Sequence, residues 1–169
     1  MLKVVGLIVA LSACSVAAAA TELEPLGFLA GQCWKGSFPG GSRTDEHCFT
    51  WIYGGKFLRD RHTLHTPGKP DGSGETIYYW NSAAKQLEYL YIESGGGYSH
   101  GGVTVEKDSL GFPETALVEN GDEQVYRSRW KRLDSTAYQV LTEFKVDGAW
   151  VPGFQVDMRR SRKPSEGER

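Results

Sequence analysis

Two glycine pairs, Gly40-Gly41 and Gly54-Gly55, punctuate an alternating run between Gly31 and His65 and leave it few ways to fold. A Gly-Gly step between alternating runs is a hairpin signal, because the favoured two-residue turns need positive φ, which glycine adopts without steric cost. With each pair at the centre of its turn, the numbers of cross-strand partners sum to 81 in the first hairpin and 109 in the second. Cys33 then faces Cys48, Trp34 faces His47, and His47 faces His62. Period two puts Trp34, Phe38, Asp45, His47, Phe49, Trp51, Asp60 and His62 on one side of this three-stranded sheet. That side is expected to point inward, since it carries far more apolar area than the side with Cys33, Cys48, Thr50 and Ile52.

The same grammar runs through the rest of the chain. Strands are expected over 31–38, 43–53, 56–65, 75–81, 86–94, 98–107, 114–118, 124–131, 138–146 and 150–158, punctuated by Gly95-Gly96-Gly97, Asn120-Gly121 and Asp147-Gly148. Gly101-Gly102 and Pro152-Gly153 mark bulges or edges. Thr21 to Ala30, with Leu23, Leu26, Phe28 and Leu29, reads as a short helical segment that closes one end. About ten short strands without a convincing internal helix make the chain all-β, an antiparallel up-and-down barrel. An open sandwich is the alternative that turn chemistry alone leaves standing.

Residues 1–20 carry Lys3, an apolar run from Val4 to Leu11 and an alanine tract, the layout of a secretory signal, with an apolar run too short to span a membrane. Two processing routes stay open: cleavage before Thr21, or lipidation of Cys14 in Leu11-Ser12-Ala13-Cys14, the one route that would tie the protein to a membrane. The expected organisation is a signal over 1–20, one barrel domain over 21–159 and a disordered polar tail over 160–169, in a periplasmic or extracellular protein. There, Cys33 and Cys48 invite a disulfide. A formal charge of -2 makes nucleic acid an unsuitable partner.

Leu26-x-Phe28-Leu29-x-Gly31-x-x-Trp34-x-Gly36, Gly54-Gly55-x-Phe57-Leu58 and Trp80-Asn81-x-x-x-Lys85 together resemble lipocalin-like barrels of the calycin superfamily, and more narrowly barrels related to nitrobindin. The resemblance implies that Trp34 packs at a closed end under an arginine from a late strand, Arg159 or Arg160. It also implies haem as a ligand, held by a histidine from the C-terminal part of the barrel, yet no histidine follows His100 here.

Chemistry is concentrated in Asp45, His47, Asp60 and His62. Two histidines and a carboxylate suit a divalent metal at His47 and His62. A His beside an Asp also suits general-base catalysis, by a hydrolase or isomerase. Arg43, Arg59 and Arg61 lie close in sequence, so an ion-pair network without further role is the plainer reading. Trp34, His47, Trp51, His62, Tyr78, Trp80, Tyr89 and Tyr91 are the expected ligand-binding lining, with Tyr98, Tyr126 and Trp130 as further candidates. His65 and His100 read as surface residues. The leading expectation is a barrel that binds a small apolar or amphipathic molecule, with no cofactor predicted; the His/Asp enzyme and the haem barrel are the alternatives.

Overall fold

The computed structural model describes residues 21–162; the signal segment, Cys14 and most of the polar tail lie outside the described residues. Ten antiparallel strands close into one barrel: β1 Cys33–Ser37, β2 Thr44–Ile52, β3 Phe57–His65, β4 Gly72–Asn81, β5 Gln86–Glu93, β6 Tyr98–Glu106, β7 Ser109–Glu119, β8 Asp122–Arg132, β9 Ala137–Val146 and β10 Ala149–Ser161. Each strand pairs with its sequence neighbour, and β1 pairs with β10 to complete the circle. Closure settles the choice between barrel and sandwich. β10 extends to Ser161, two residues into the expected tail, because Ser161, Arg160 and Arg159 pair with Cys33, Trp34 and Lys35.

The partner sums hold throughout the first two hairpins: Cys33 faces Cys48, Trp34 faces His47, and His47 faces His62. The connections themselves are longer than two residues. Pro39–Gly41 and Tyr53–Gly55 form single 3-10 turns, with Gly40 at φ 76° and Gly54 at φ 68°. Register survives because each loop stays symmetric about its glycine pair. Asp147-Gly148 does form the tight turn expected of it, with both residues at positive φ and Val146 paired to Ala149. The register shifts between Pro152 and Phe154 on β10, and between Tyr98 and Thr104 on β6, where bulges were expected. β7 is much longer than its expected five-residue core and carries its own shift between Phe112 and Thr115.

One end of the barrel is stoppered. A 3-10 segment over Thr21–Leu26 and the turn after it insert Leu23, Leu26 and Leu29, each 0% exposed. Trp34 Nε1 donates to the Leu29 carbonyl at 3.3 Å, tying this plug to β1. Phe28, Trp34 and Tyr138 stack edge-to-face around it, and the Arg160 guanidinium lies 5.6 Å from the Trp34 ring centre. Of the two arginines considered for that position, Arg160 takes it. Gly36 has a packing reason: a Cβ there would collide with Val156 and Met158 and approach the Asp157 carbonyl to 3.0 Å. The Cys33–Cys48 disulfide bridges β1 to β2 across 15 residues of chain.

Candidate functional site

Inward side chains from eight strands, with Phe38 from the loop after β1, surround a cavity of about 230 Å³. Its apolar wall is formed by Phe112, Trp130, Val140, Phe154 and Met158, with Tyr78 and Tyr89 beside them. Asp45, His47, Asp60, His62 and Tyr91 form the opposite, polar wall. The alternation of β2 and β3 places these residues, since pairing His47 with His62 and Phe49 with Asp60 stacks the inward positions of both strands in one row.

Asp60, 1% exposed, accepts from His47 Nδ1 at 2.7 Å. On its other edge His47 Nε2 reaches Asp45 Oδ2 at 3.2 Å. Asp45 Oδ1 lies 3.2 Å from His62 Nδ1, and His62 Nε2 lies 3.1 Å from the Tyr91 hydroxyl. Tyr91 in turn donates to Glu93 Oε2 at 2.8 Å. A continuous polar chain therefore climbs from the middle of the barrel to the end opposite the plug. The two imidazoles stack with centres 5.0 Å apart.

Burial by itself would push the His47 pKa down, but the Asp60 and Asp45 carboxylates and their hydrogen bonds outweigh it and raise it to about 10. Burial likewise opposes the charge on Asp45, and His47 and His62 overcome it, holding that carboxyl well below its ordinary range. An imidazole flanked by carboxylates at both nitrogens favours its cationic form, in which neither nitrogen offers a lone pair. Asp60 Oδ1 and the Tyr138 hydroxyl are buried without a protein partner.

The far wall adds hydroxyls. Ser99 Oγ lies within 3.3 Å of the Tyr89, Thr115 and Tyr126 hydroxyls, and Ser128 meets Thr142 at 3.0 Å. Burial and neighbouring oxygens keep the Tyr91 and Tyr126 phenols protonated well beyond the ordinary range.

Of the residues named from the sequence, His47, His62, Tyr78, Tyr89 and Tyr91 border the cavity, and Tyr126 and Trp130 join them. Trp34, Trp51 and Trp80 lie instead at the plugged end, where Trp51 pairs with Leu58 and Trp80, 36% exposed, with Leu87. Tyr98 is 46% exposed, because the register of β6 turns Ser99 inward in its place. The neighbouring arginines do not neutralise the acids. Arg59 and Arg61 line a groove of about 620 Å³ on the outer faces of β2 to β5, and Arg43 covers the Phe38 ring. Glu46 and Glu75 share that groove, and His62, Gly74 and Glu93 border it where the polar chain reaches the rim; its mixed charges make it a solvated surface.

Missed altogether were Phe112, Thr142, Phe154 and Met158, although the alternation of Trp130 with Ser128, and of Thr142 with Val140, was there to read. The haem expectation does not fit these residues. About 230 Å³ is below the roughly 300–1,000 Å³ of ordinary small-molecule pockets and has no room for a porphyrin. His100 is exposed, paired opposite Leu90. A scan against protein-family models finds no match, and a search of curated proteins finds none either.

Proposed function

We propose that this chain is an extracytoplasmic barrel that binds a small, partly apolar molecule between the aromatic wall of its cavity and the Asp/His wall. The observation that carries this reading is the cavity itself: side chains large enough to fill a barrel leave about 230 Å³ open, bounded on one side by rings and on the other by hydrogen-bonding groups. Its size favours a compact ligand. Its lining favours one with an apolar body and one or two polar atoms. The Cys33–Cys48 bridge is compatible with an oxidising compartment, and a signal over 1–20 with export.

The test is native mass spectrometry of the protein taken from the cells that make it, against its denatured mass. An excess that vanishes on denaturation, and is lost when Thr142→Leu narrows the cavity, is the expected result. Agreement of the two masses overturns the reading.

A further inference from the structure

The geometry points to a second occupant of the same wall: we infer that Asp45, His47 and His62 form a binding site for one divalent first-row transition-metal ion. Each of these residues offers a ligand atom within 4.8 Å of the other two. His47 Nε2 and His62 Nδ1 both converge on the Asp45 carboxylate, each at 3.2 Å from one of its oxygens. Each separation is close to the edge of a tetrahedron with bonds of about 2.0–2.1 Å, roughly 3.3 Å, and since the two run to different oxygens, the carboxylate turns to present one of them to the ion.

The groups behind the ligands matter as much as the ligands. Metal-bound imidazoles are held at their second nitrogen by a carboxylate, carbonyl or other polar partner, which fixes the tautomer and aims the free nitrogen. Asp60 does this for His47, taking Nδ1 at 2.7 Å and leaving Nε2 to face Asp45. Tyr91 does it for His62, taking Nε2 at 3.1 Å and leaving Nδ1 to face Asp45. The two histidines thus use opposite ring nitrogens, each the one that faces the Asp45 carboxylate.

Gly74 completes the arrangement. It pairs with His62 across β3 and β4, and a Cβ on it would collide with His62 Nε2 and come within 2.8 Å of the Tyr91 ring. No other residue leaves room for that ring and its hydroxyl partner together. As the ion enters, the protons held between Asp45 and both His47 Nε2 and His62 Nδ1 leave to solvent, and the ion takes their place between the imidazoles and the carboxylate. Two imidazole nitrogens and one carboxylate suit Zn²⁺, Co²⁺ or Cu²⁺, and because all three ligands border the cavity, the remaining coordination position opens into it. Cys33 and Cys48, grouped with Glu46 on the outer face, are consumed by their disulfide and offer no competing thiolate.

The inference stands apart from the organic-ligand reading, since metal uptake needs no occupant in the aromatic part of the cavity. Its test is calorimetric titration of untagged, chelator-stripped protein with Zn²⁺ alone. One equivalent is expected, weakened at least 100-fold by Asp45→Asn or His62→Ala and about 10- to 100-fold by Asp60→Asn. His65→Ala, which alters a surface pair with Asp71, is expected to leave the affinity unchanged. Pulsed electron paramagnetic resonance of the Cu²⁺-loaded wild type needs no variant to fold and is expected to resolve two imidazole nitrogens. Absence of stoichiometric uptake, unchanged affinity in folded Asp45→Asn and His62→Ala, or fewer than two coupled imidazoles overturns the inference.

Discussion

Replacing Asp60 by asparagine tests whether the buried row is held together by charge. The substitution keeps the shape and removes one of the two carboxylates that flank His47. The rise of the His47 pKa from 6.5 to about 10 is a preference of the fold for the charged ring. At 1.36 kcal/mol per pKa unit it stabilises the metal-free protein by about 4 kcal/mol at pH 7. A raised pKa makes that contribution complete below the unfolded value of 6.5, and it disappears as pH climbs through about 10. Asp60 and Asp45 share it, so Asp60→Asn is expected to cost about 2 kcal/mol at pH 7 through this route. Relief of the unpartnered Asp60 Oδ1 works in the opposite direction, but it does not vary with pH over this range. The pH dependence therefore isolates the charge effect. Urea unfolding of wild type and variant at pH 6, 8 and 10.5, with chelator present and the disulfide intact, gives the difference directly. It is expected to shrink steadily toward alkaline pH. A difference that stays constant from pH 6 to 10.5 refutes the assignment of His47 as an imidazolium stabilised by Asp60.

Gly36→Ala forces a Cβ against Val156, Met158 and the Asp157 carbonyl, and is expected to lower the urea-derived stability by about 1–3 kcal/mol, with partial recovery when Met158→Ala is added. Replacing Cys33 and Cys48 by serine removes a bridge that closes 15 residues of chain, at a cost of about 3 kcal/mol in the same assay. Burial raises the Tyr78 and Tyr138 phenols well above 10.0, so the unfolded chain loses protons that the folded one keeps. Stability is therefore expected to fall above pH 10 by up to about 2.7 kcal/mol per pH unit from these two groups, and Tyr138→Phe to reduce that slope by about half. Gly74→Ala is expected to displace the His62 ring, read as a changed His62 proton shift by nuclear magnetic resonance with the barrel's far-ultraviolet circular dichroism retained.

The rows facing the cavity were legible wherever pairing is local. Asp45, His47, Asp60 and His62 could be placed on one face from residue numbers alone, because a hairpin's register follows from where its turn is centred, even though both turns proved longer than two residues. The plug was legible too, since Leu23, Leu26 and Leu29 have no polar face to leave exposed. The Gly31-x-x-Trp34-x-Gly36 opening was recognisable as a pattern, while its packing reason lay more than a hundred residues away, on β10.

Which inward residues share a level of the barrel was not legible. Trp34, Trp51 and Trp80 have the inward parity of their neighbours but sit at the plugged end, whereas Phe112, Trp130, Thr142 and Phe154 from later strands take the level of His47. Parity is a property of one strand, read at a period of two from the sequence by itself. Level depends on strand tilt and on the stagger accumulated around the whole circle, which is set only when β10 closes on β1. Parity alone left Arg59 and Arg61 outside and the two carboxylates with two histidines, whereas only closure brought the Trp130 ring of β8 to 6.1 Å from His47 across the cavity.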